Sequence, residues 1–310
     1  MYSANNEFSV MLTVSVVIPS LHSPIIDRVV DSVRTQTCPP LEIIVVGMDR
    51  AGRLDGRTDL RFVDTGRPIS PAAARNAGAK LARGDIYCFI DADCLAAPDW
   101  IEQIVARHAQ GAQVVGGGVA LLGASYWTLC DNLAGLADFM EWSPAGTRAH
   151  LPSLNFSIRR ALFESLGGFD QRFTRPSGED TDLCFRLRRR GHTLLFEPRA
   201  RVTHCPSRNS FHHMWAHFHM FGATYLILQR QHGDLIGGSL RVGLCQRWPW
   251  LAIILVPFLA LLDGLLLYKR NPALLRYWYA LPGITLARLA WYVGLTFGTD
   301  RSFLSENSTS

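Results

Sequence analysis

The first third of the chain alternates short β-branched runs with stretches in which apolar residues recur every three or four positions. Thr13-Val14-Ser15-Val16-Val17-Ile18 predicts a buried strand bounded by Pro19. Ser23 as N-cap and Pro24 at the first helical position then precede Ile25, Ile26, Val29, Val30 and Val33, one apolar helix face that Pro39-Pro40 closes. Ile43 to Val46 predicts a second strand, Gly47 to Asp59 a polar turn, and Arg61 to Asp64 a short third strand. Ser70-Pro71 starts a helix of small residues closed by Gly84, and Asp85 to Ile90 forms a further strand running into Asp91-Ala92-Asp93. Strand and helix at these spacings predict parallel βαβ units, hence an α/β fold.

Further along, Pro98 opens a helix with Ile101, Ile104 and Val105 on one face. Val114-Val115 and Val119-Ala120-Leu121 read as one strand interrupted by Gly116-Gly117-Gly118, whereas Ser125 to Arg148 has no clear period. Phe156 to Leu166 contains a short helix that ends at Gly167-Gly168, and Glu179 to Arg190 predicts another; Thr193 to Phe196 and Arg201 to Thr203 predict two short strands.

After residue 207 the pattern changes. Trp248 to Tyr268 is 21 residues long with a single charge, Asp263, which meets the length of a membrane span. Trp248 and Trp250 at one end and Lys269-Arg270 at the other have the character of interface anchors. Trp278 to Gly298 is a second apolar stretch, weakened by Pro282 and Arg288, and reads either as a span or as an interfacial or re-entrant segment. The pattern thus predicts an α/β domain over 1–207, an amphipathic interfacial segment over 208–247, with Trp215, Phe218 and Phe221 toward lipid, and a membrane-associated region over 248–310. A full two-span hairpin would place Lys269, Arg270 and Arg276 against the positive-inside tendency, and a shallow pair would not.

Composition narrows the function classes. The net charge of +5 over 310 residues is too small an excess to argue for a nucleic-acid partner. Seven cysteines form no C-x-x-C pair, which predicts buried thiols in a reducing compartment and excludes a zinc ribbon. Met1 to Val10 lacks the basic and apolar regions of a signal peptide, so the main domain is expected on the cytoplasmic side of the cell membrane.

The candidate chemistry sits at strand ends. In open α/β sheets ligands bind beyond the carboxyl ends of the strands, where Asp91 and Asp93 fall. Two carboxylates there suit Mg²⁺ or Mn²⁺, or else form a solvated turn. Arg75, one short helix earlier, is able to contact a diphosphate or to lie on the surface. Glu179, Asp180 and Asp182 open a helix, either as dipole-favoured caps or as a source of a general base, and periodicity does not rank them. His213 and His217 stand one helical turn apart but without a third ligand, which favours an interfacial helix over a metal site. Arg186 to Arg190, Arg199, Arg201 and Arg208 form either a lipid- or diphosphate-facing patch or a solvated basic face.

Taken in order, Ser15-Val16-Val17-Ile18-Pro19-Ser20, Ala74-Arg75-Asn76-x-Gly78 with Gly84-Asp85, Asp91-x-Asp93, Asn155-Phe156-x-x-Arg159, Gly167-Gly168-Phe169-Asp170 and Glu179-Asp180-x-Asp182-Leu183 resemble the family-2 glycosyltransferases. The resemblance covers roughly residues 13–207. It implies a GT-A fold, a mixed, mainly parallel sheet flanked by helices, here followed by C-terminal membrane helices. It also implies inverting transfer from a nucleotide-diphosphate sugar, with a divalent cation, to a hydroxyl acceptor; Cys245-Gln246-Arg247-Trp248 lacks the two-residue gap of the processive Q-x-x-R-W, so transfer of a single sugar is expected. A lipid-linked or envelope-glycan acceptor and contact with membrane lipid are expected from the apolar segment. By position, Pro19 and Ser20 border the nucleotide, Arg75 contacts it, Asp91 lies near the ribose or a metal-bound water, and Asp93 binds the metal. Asp180 resembles the catalytic base, Asn155 and Glu179 give support, and His204 resembles a further metal or diphosphate contact or is a structural histidine. The family often has acids after the second strand to read the nucleobase; here Gly47 and Met48 stand there, and Asp49 is the substitute. That departure leaves a second reading, a nucleotide-sugar-binding scaffold without turnover.

Overall fold

The β-branched run near the start of the chain forms β1 (Val14–Leu21), and the amphipathic stretch after it forms α1 (Ile26–Arg34), whose Ile26, Val29, Val30 and Val33 are fully buried. β2 (Glu42–Met48), β3 (Arg61–Asp64), α2 (Pro71–Ala79) and β4 (Ile86–Ile90) complete the first half of the fold. In this computed structural model, residues 12–122, 125–237 and 240–298 are described; the segment Met1 to Val10 and the end of the 248–310 region lie outside them. β5 (Cys94–Ala96), α3 (Trp100–Ala109), β6 (Val114–Leu121), α4 (Tyr126–Leu136), β7 (Gly146–Thr147), β8 (Asn155–Arg159), α5 (Arg160–Ser165), α6 (Glu179–Arg189) and β9 (Leu195–His204) follow. The helices α7 (Phe211–Ile236), α8 (Leu240–Arg247), α9 (Pro249–Arg270) and α10 (Leu281–Phe297) close the described chain.

One mixed sheet runs in the order β3-β2-β1-β4-β8-β6-β9-β5, with β7 on β9. β1, β2, β3 and β4 are mutually parallel, whereas β8 enters antiparallel between β4 and β6. Every residue of β4 is fully buried, as a strand covered on both faces must be. Each such apolar side chain contributes about 1.5–3 kcal/mol of burial free energy.

The short helix expected before Gly167-Gly168 is α5 at 160–165, and residues 155–159 ahead of it pair as β8, because Phe156 and Ile158 alternate with Ser157 into a sheet position that local periodicity does not reveal. The glycines at 116–118 do not interrupt β6. They let β9 approach, since a Cβ on Gly117 would stand 2.0 Å from Ala200 O and one on Gly118 2.3 Å from Pro198 O.

A second apolar core joins α4, α7, α9 and α10. α7 and α10 are in backbone contact at two glycines: a Cβ on Gly222 would lie 1.9 Å from Trp291 O, and one on Gly294 1.9 Å from His219 O. Phe218, expected to face lipid, is 2% exposed within this core, because α4 and α10 cover that side of α7. The basic cluster is also dispersed: Arg186 pairs with Asp182, Arg189 with Asp234, Arg199 with Glu197, Arg201 with Glu141 and Arg208 with Asp131. Among the described residues, two stretches are long and apolar enough to cross a membrane, Pro249–Arg270 and Pro272–Phe297.

Candidate active site

The carboxyl ends of β1, β2 and β4 open on one edge of the sheet, and three motif segments meet there. Arg75, on α2, is 3% exposed and bridges two acids: Nη2 donates to Asp91 Oδ1 at 2.6 Å and Nη1 to Glu179 Oε1 at 2.8 Å. A pair separated by 104 residues is thereby joined to the end of β4 through one guanidinium. Phe169 packs on the face of that guanidinium, 5.5 Å from ring centroid to Cζ. The neighbouring Asn76 holds Phe169 in place, donating to its carbonyl at 2.8 Å and accepting from its N–H at 2.9 Å. Asn76 is thus a brace for the Arg75 site, and the Gly167-Gly168 turn is needed because Gly168 adopts φ +76° against the Asn76 amide.

Burial drives the Glu179 carboxyl up to about 7, reinforced by neighbouring Asp180 and opposed by Arg75. Its Oε2 has no hydrogen-bond partner. Asp180, the next residue on α6, is half-buried and aimed by backbone donors: Ser153 N–H donates to Oδ2 at 3.1 Å and Thr181 N–H to Oδ1 at 2.7 Å.

Asp93 stands on the other side of the strand end. Ser23 Oγ donates to the carbonyl of Ala92, between the two aspartates, and Cys205 N–H donates to Asp93 O at 2.8 Å. Ser23 is therefore a tether for this turn and not the cap of α1, which begins at Ile26 behind Ile25 with no side-chain cap, so Pro24 is not its first helical residue. His204 Nε2 lies 3.6 Å from Asp93 Oδ2, and the donor atoms of Asp93, Cys94 and His204 all fall within 4.8 Å of one another. That separation is too long for a hydrogen bond but suits two ligands of one ion. Burial opposes charge on Asp93, yet His204 and Arg208 outweigh it and hold the carboxyl below its ordinary range. A carboxylate oxygen and the nitrogen of a neutral imidazole fit a divalent cation.

The remaining predicted residues separate into two groups. Ser20 and Asp49 lie at the ends of β1 and β2, where Ser20 Oγ and Asp49 Oδ1 are buried without partners; Pro19 precedes them in β1. Asp49 Oδ2 accepts from Leu54 N–H at 2.8 Å and shapes its loop. Position 47 cannot carry an acid here, because Gly47 has φ +141° and a Cβ would sit 1.8 Å from Ser20 O. Asn155 is fully buried and its amide is committed to Gly118 O, Ala200 O and Trp100 Nε1, so it braces β8 and presents no polar atom to a ligand. His217 is not half of a pair with His213: its Nδ1 is bonded to Asp131 at 2.8 Å. Among the described residues, Asp93, Cys94 and His204 form the one cluster with metal-ligand spacing. Asp131 and Asn132, buried behind His204, escape the sequence reading. Their signal is a polar pair inside the otherwise apolar helix 126–136.

A family model described as glycosyltransferase like family 2 matches residues 13–218. The pre-mycofactocin glycosyltransferase of Mycobacterium tuberculosis is 30% identical over 147 residues, 43% of this chain and 30% of that protein. The glucosyl-dolichyl phosphate glucuronosyltransferase of Haloferax volcanii is 29% identical over 202 residues, 56% of this chain and 62% of that protein. The chain therefore spans less than two thirds of the length of these relatives. Among solved structures, the mannosyltransferase PcManGT from Pyrobaculum calidifontis, in complex with GDP-Man and Mn²⁺, superposes with a TM-score of 0.60 at 19% identity, covering 94% of this chain and 89% of that one. GalNAc-T7 with UDP, GalNAc and Mn²⁺ gives a TM-score of 0.51 at 20% identity, over 63% and 43%. Both likenesses establish the GT-A fold. With its ordered motifs meeting at the strand ends and the family model spanning about two thirds of its length, this chain belongs to glycosyltransferase family 2.

Proposed function

We propose that the protein is an inverting, cation-dependent glycosyltransferase that moves one sugar from a nucleoside-diphosphate sugar to a hydroxyl acceptor at a membrane. The observation that carries this reading is the buried Arg75 bridge, which ties the acid at the end of β4 to the acid that opens α6. The unpartnered Ser20 Oγ and Asp49 Oδ1 at the ends of β1 and β2 are suited to a nucleoside, since buried polar atoms are rarely left unpaired without a purpose.

Asp93 and His204 would hold the cation, which when bound supplies charge neutralisation to the departing diphosphate. Asp180 takes the proton from the acceptor hydroxyl as that oxygen attacks the anomeric carbon from the face opposite the nucleotide. Ser153 and Thr181 hold its carboxylate in one orientation, so little reorganisation accompanies the proton transfer. A thermal-shift screen against nucleoside diphosphates, with and without Mn²⁺, tests the donor half of this reading. At ~100-fold saturation, stabilisation of ~2.7 kcal/mol is expected for the cognate base, and only with the cation. No stabilisation by any base, together with no diphosphate release from any nucleotide sugar, would leave neither the enzyme nor the scaffold reading standing.

Membrane contact rests on α9. Trp250, Ile254, Phe258, Leu261 and Leu265 form a stripe at helical spacing and are 43–70% exposed. The helix's acidic residue, Asp263, turns inward to Arg241 and to Tyr292 Oη. A lipid-linked or envelope-glycan acceptor fits a site held beside such a surface, and the Haloferax relative is named for a glucosyl-dolichyl phosphate. The cell membrane, with the catalytic domain on the cytoplasmic side, is the corresponding location. In vesicle flotation the wild-type protein should rise with phospholipid. A triple Trp250→Ser, Ile254→Ser, Phe258→Ser variant should stay at the bottom while keeping its nucleotide-induced stabilisation. Equal flotation of the two would remove α9 as the contact.

A further inference from the structure

Two consecutive residues of α4 lie directly behind the candidate cation site, and neither belongs to a sequence motif described above. Asp131 is 2% exposed and Asn132 1%. Asn132 Oδ1 is 2.6 Å from His204 Nδ1. An amide oxygen can only accept, so Nδ1 carries the proton, and in the neutral ring Nε2 is left with its lone pair. Nε2 is the atom that faces Asp93. Asp131 meanwhile accepts from Arg208 Nε at 3.1 Å and from His217 Nδ1 at 2.8 Å. Two adjacent side chains therefore fix three residues of the segment that runs from the end of β9 into α7.

We propose that Asn132 is a positioning residue for a divalent cation: it sets the tautomer and ring plane of His204 so that Nε2 is available as a ligand beside Asp93. The inference rests on the reading of Asp93 and His204 as the cation site. Asn132 Nδ2 is buried with no partner, so the amide is held in this position by its bond to His204. Outer partners of metal-bound histidines commonly act in this way, and their loss weakens metal affinity about 10–100-fold. Asp131 anchors Arg208 and His217, leaving His204 to Asn132 alone.

Mn²⁺ titrated into the full-length, detergent-solubilised protein and followed by the EPR signal of the free ion reads affinity without any turnover. Wild-type protein should bind Mn²⁺, Asp93→Asn should lose it, and Asn132→Leu should bind about 10–100-fold more weakly. Asn132→Asp, whose carboxylate accepts the same Nδ1 proton, should match or exceed wild type. If wild type fails to bind, or Asp93→Asn binds as wild type does, the cation site itself is wrong. If Asp93→Asn loses the ion while a folded Asn132→Leu protein binds it like wild type, only the role of Asn132 is overturned. Should Asn132→Leu not fold, Asn132→Asp decides: wild-type affinity supports the role, and a tenfold loss overturns it.

Discussion

An Asp180→Asn enzyme should retain its nucleoside-diphosphate-induced stabilisation and lose sugar transfer by about 10²–10⁴-fold, the usual contribution of a positioned general base. The substitution is nearly isosteric. Its amide oxygen can still accept from Ser153 or Thr181, so the start of α6 should keep its geometry. What disappears is the capacity to take a proton from the acceptor. Diphosphate release in the presence of acceptor is the direct measurement, with donor-base stabilisation recorded in parallel. Release at the wild-type rate would dismiss Asp180 as the base and return Glu179 and Asp182 to consideration. Asp182 is the weaker of these, because Arg186 and His232 already occupy its carboxylate at 2.8 Å each.

Arg75→Met should be the most damaging single change in the catalytic domain. It removes the one cation between Asp91 and Glu179, and deleting one member of a buried pair typically costs about 3–5 kcal/mol because the other charge is stranded. The pH dependence has a definite sign. Glu179 already titrates near about 7 in the folded protein, above its ordinary 4.5, so its contribution to stability is present at low pH and is lost as pH rises through that value. Without Arg75 the carboxyl moves higher still. The deficit of the variant relative to wild type should therefore be smaller at acidic pH, where Glu179 is protonated in both, and should grow as pH rises through and beyond about 7. Chemical denaturation of the two proteins across this range measures it. A deficit that shrinks with rising pH would contradict the ion-pair account. Asn76→Ala offers a contrast, since it would loosen Phe169 from the same guanidinium without stranding a charge.

Much of the fold is written locally. The β-branched runs at 14–18 and 43–46 and the amphipathic stretch from Ile26 to Val33 each bury a pattern visible over a few residues. The ordered motifs from Ser15 to Leu183 name the family without any coordinates. Local pattern fails where a neighbour distant in sequence decides. Residues 155–159 are a strand because β4 and β6 flank them, Gly116 to Gly118 stay extended because β9 presses against them, and Phe218 is buried because α10 lies over it.

The same division runs through the site. Asp91, Asp93, Arg75, Glu179, Asp180 and His204 can be picked out as residue types at telling places along the chain. Their grouping cannot, because the Arg75–Glu179 contact spans 104 residues and the Asn132–His204 contact 72. Sequence by itself determined the class of fold, the family and the inventory of charged groups, since these follow from periodicity and motif order. Tertiary structure alone decided that Asn155 braces the sheet, that Asn76 supports Arg75, and that Asp131 and Asn132 stand behind His204. A side chain's role depends on which partner satisfies its hydrogen bonds once water is excluded, and that partner is chosen by the packing of the whole chain.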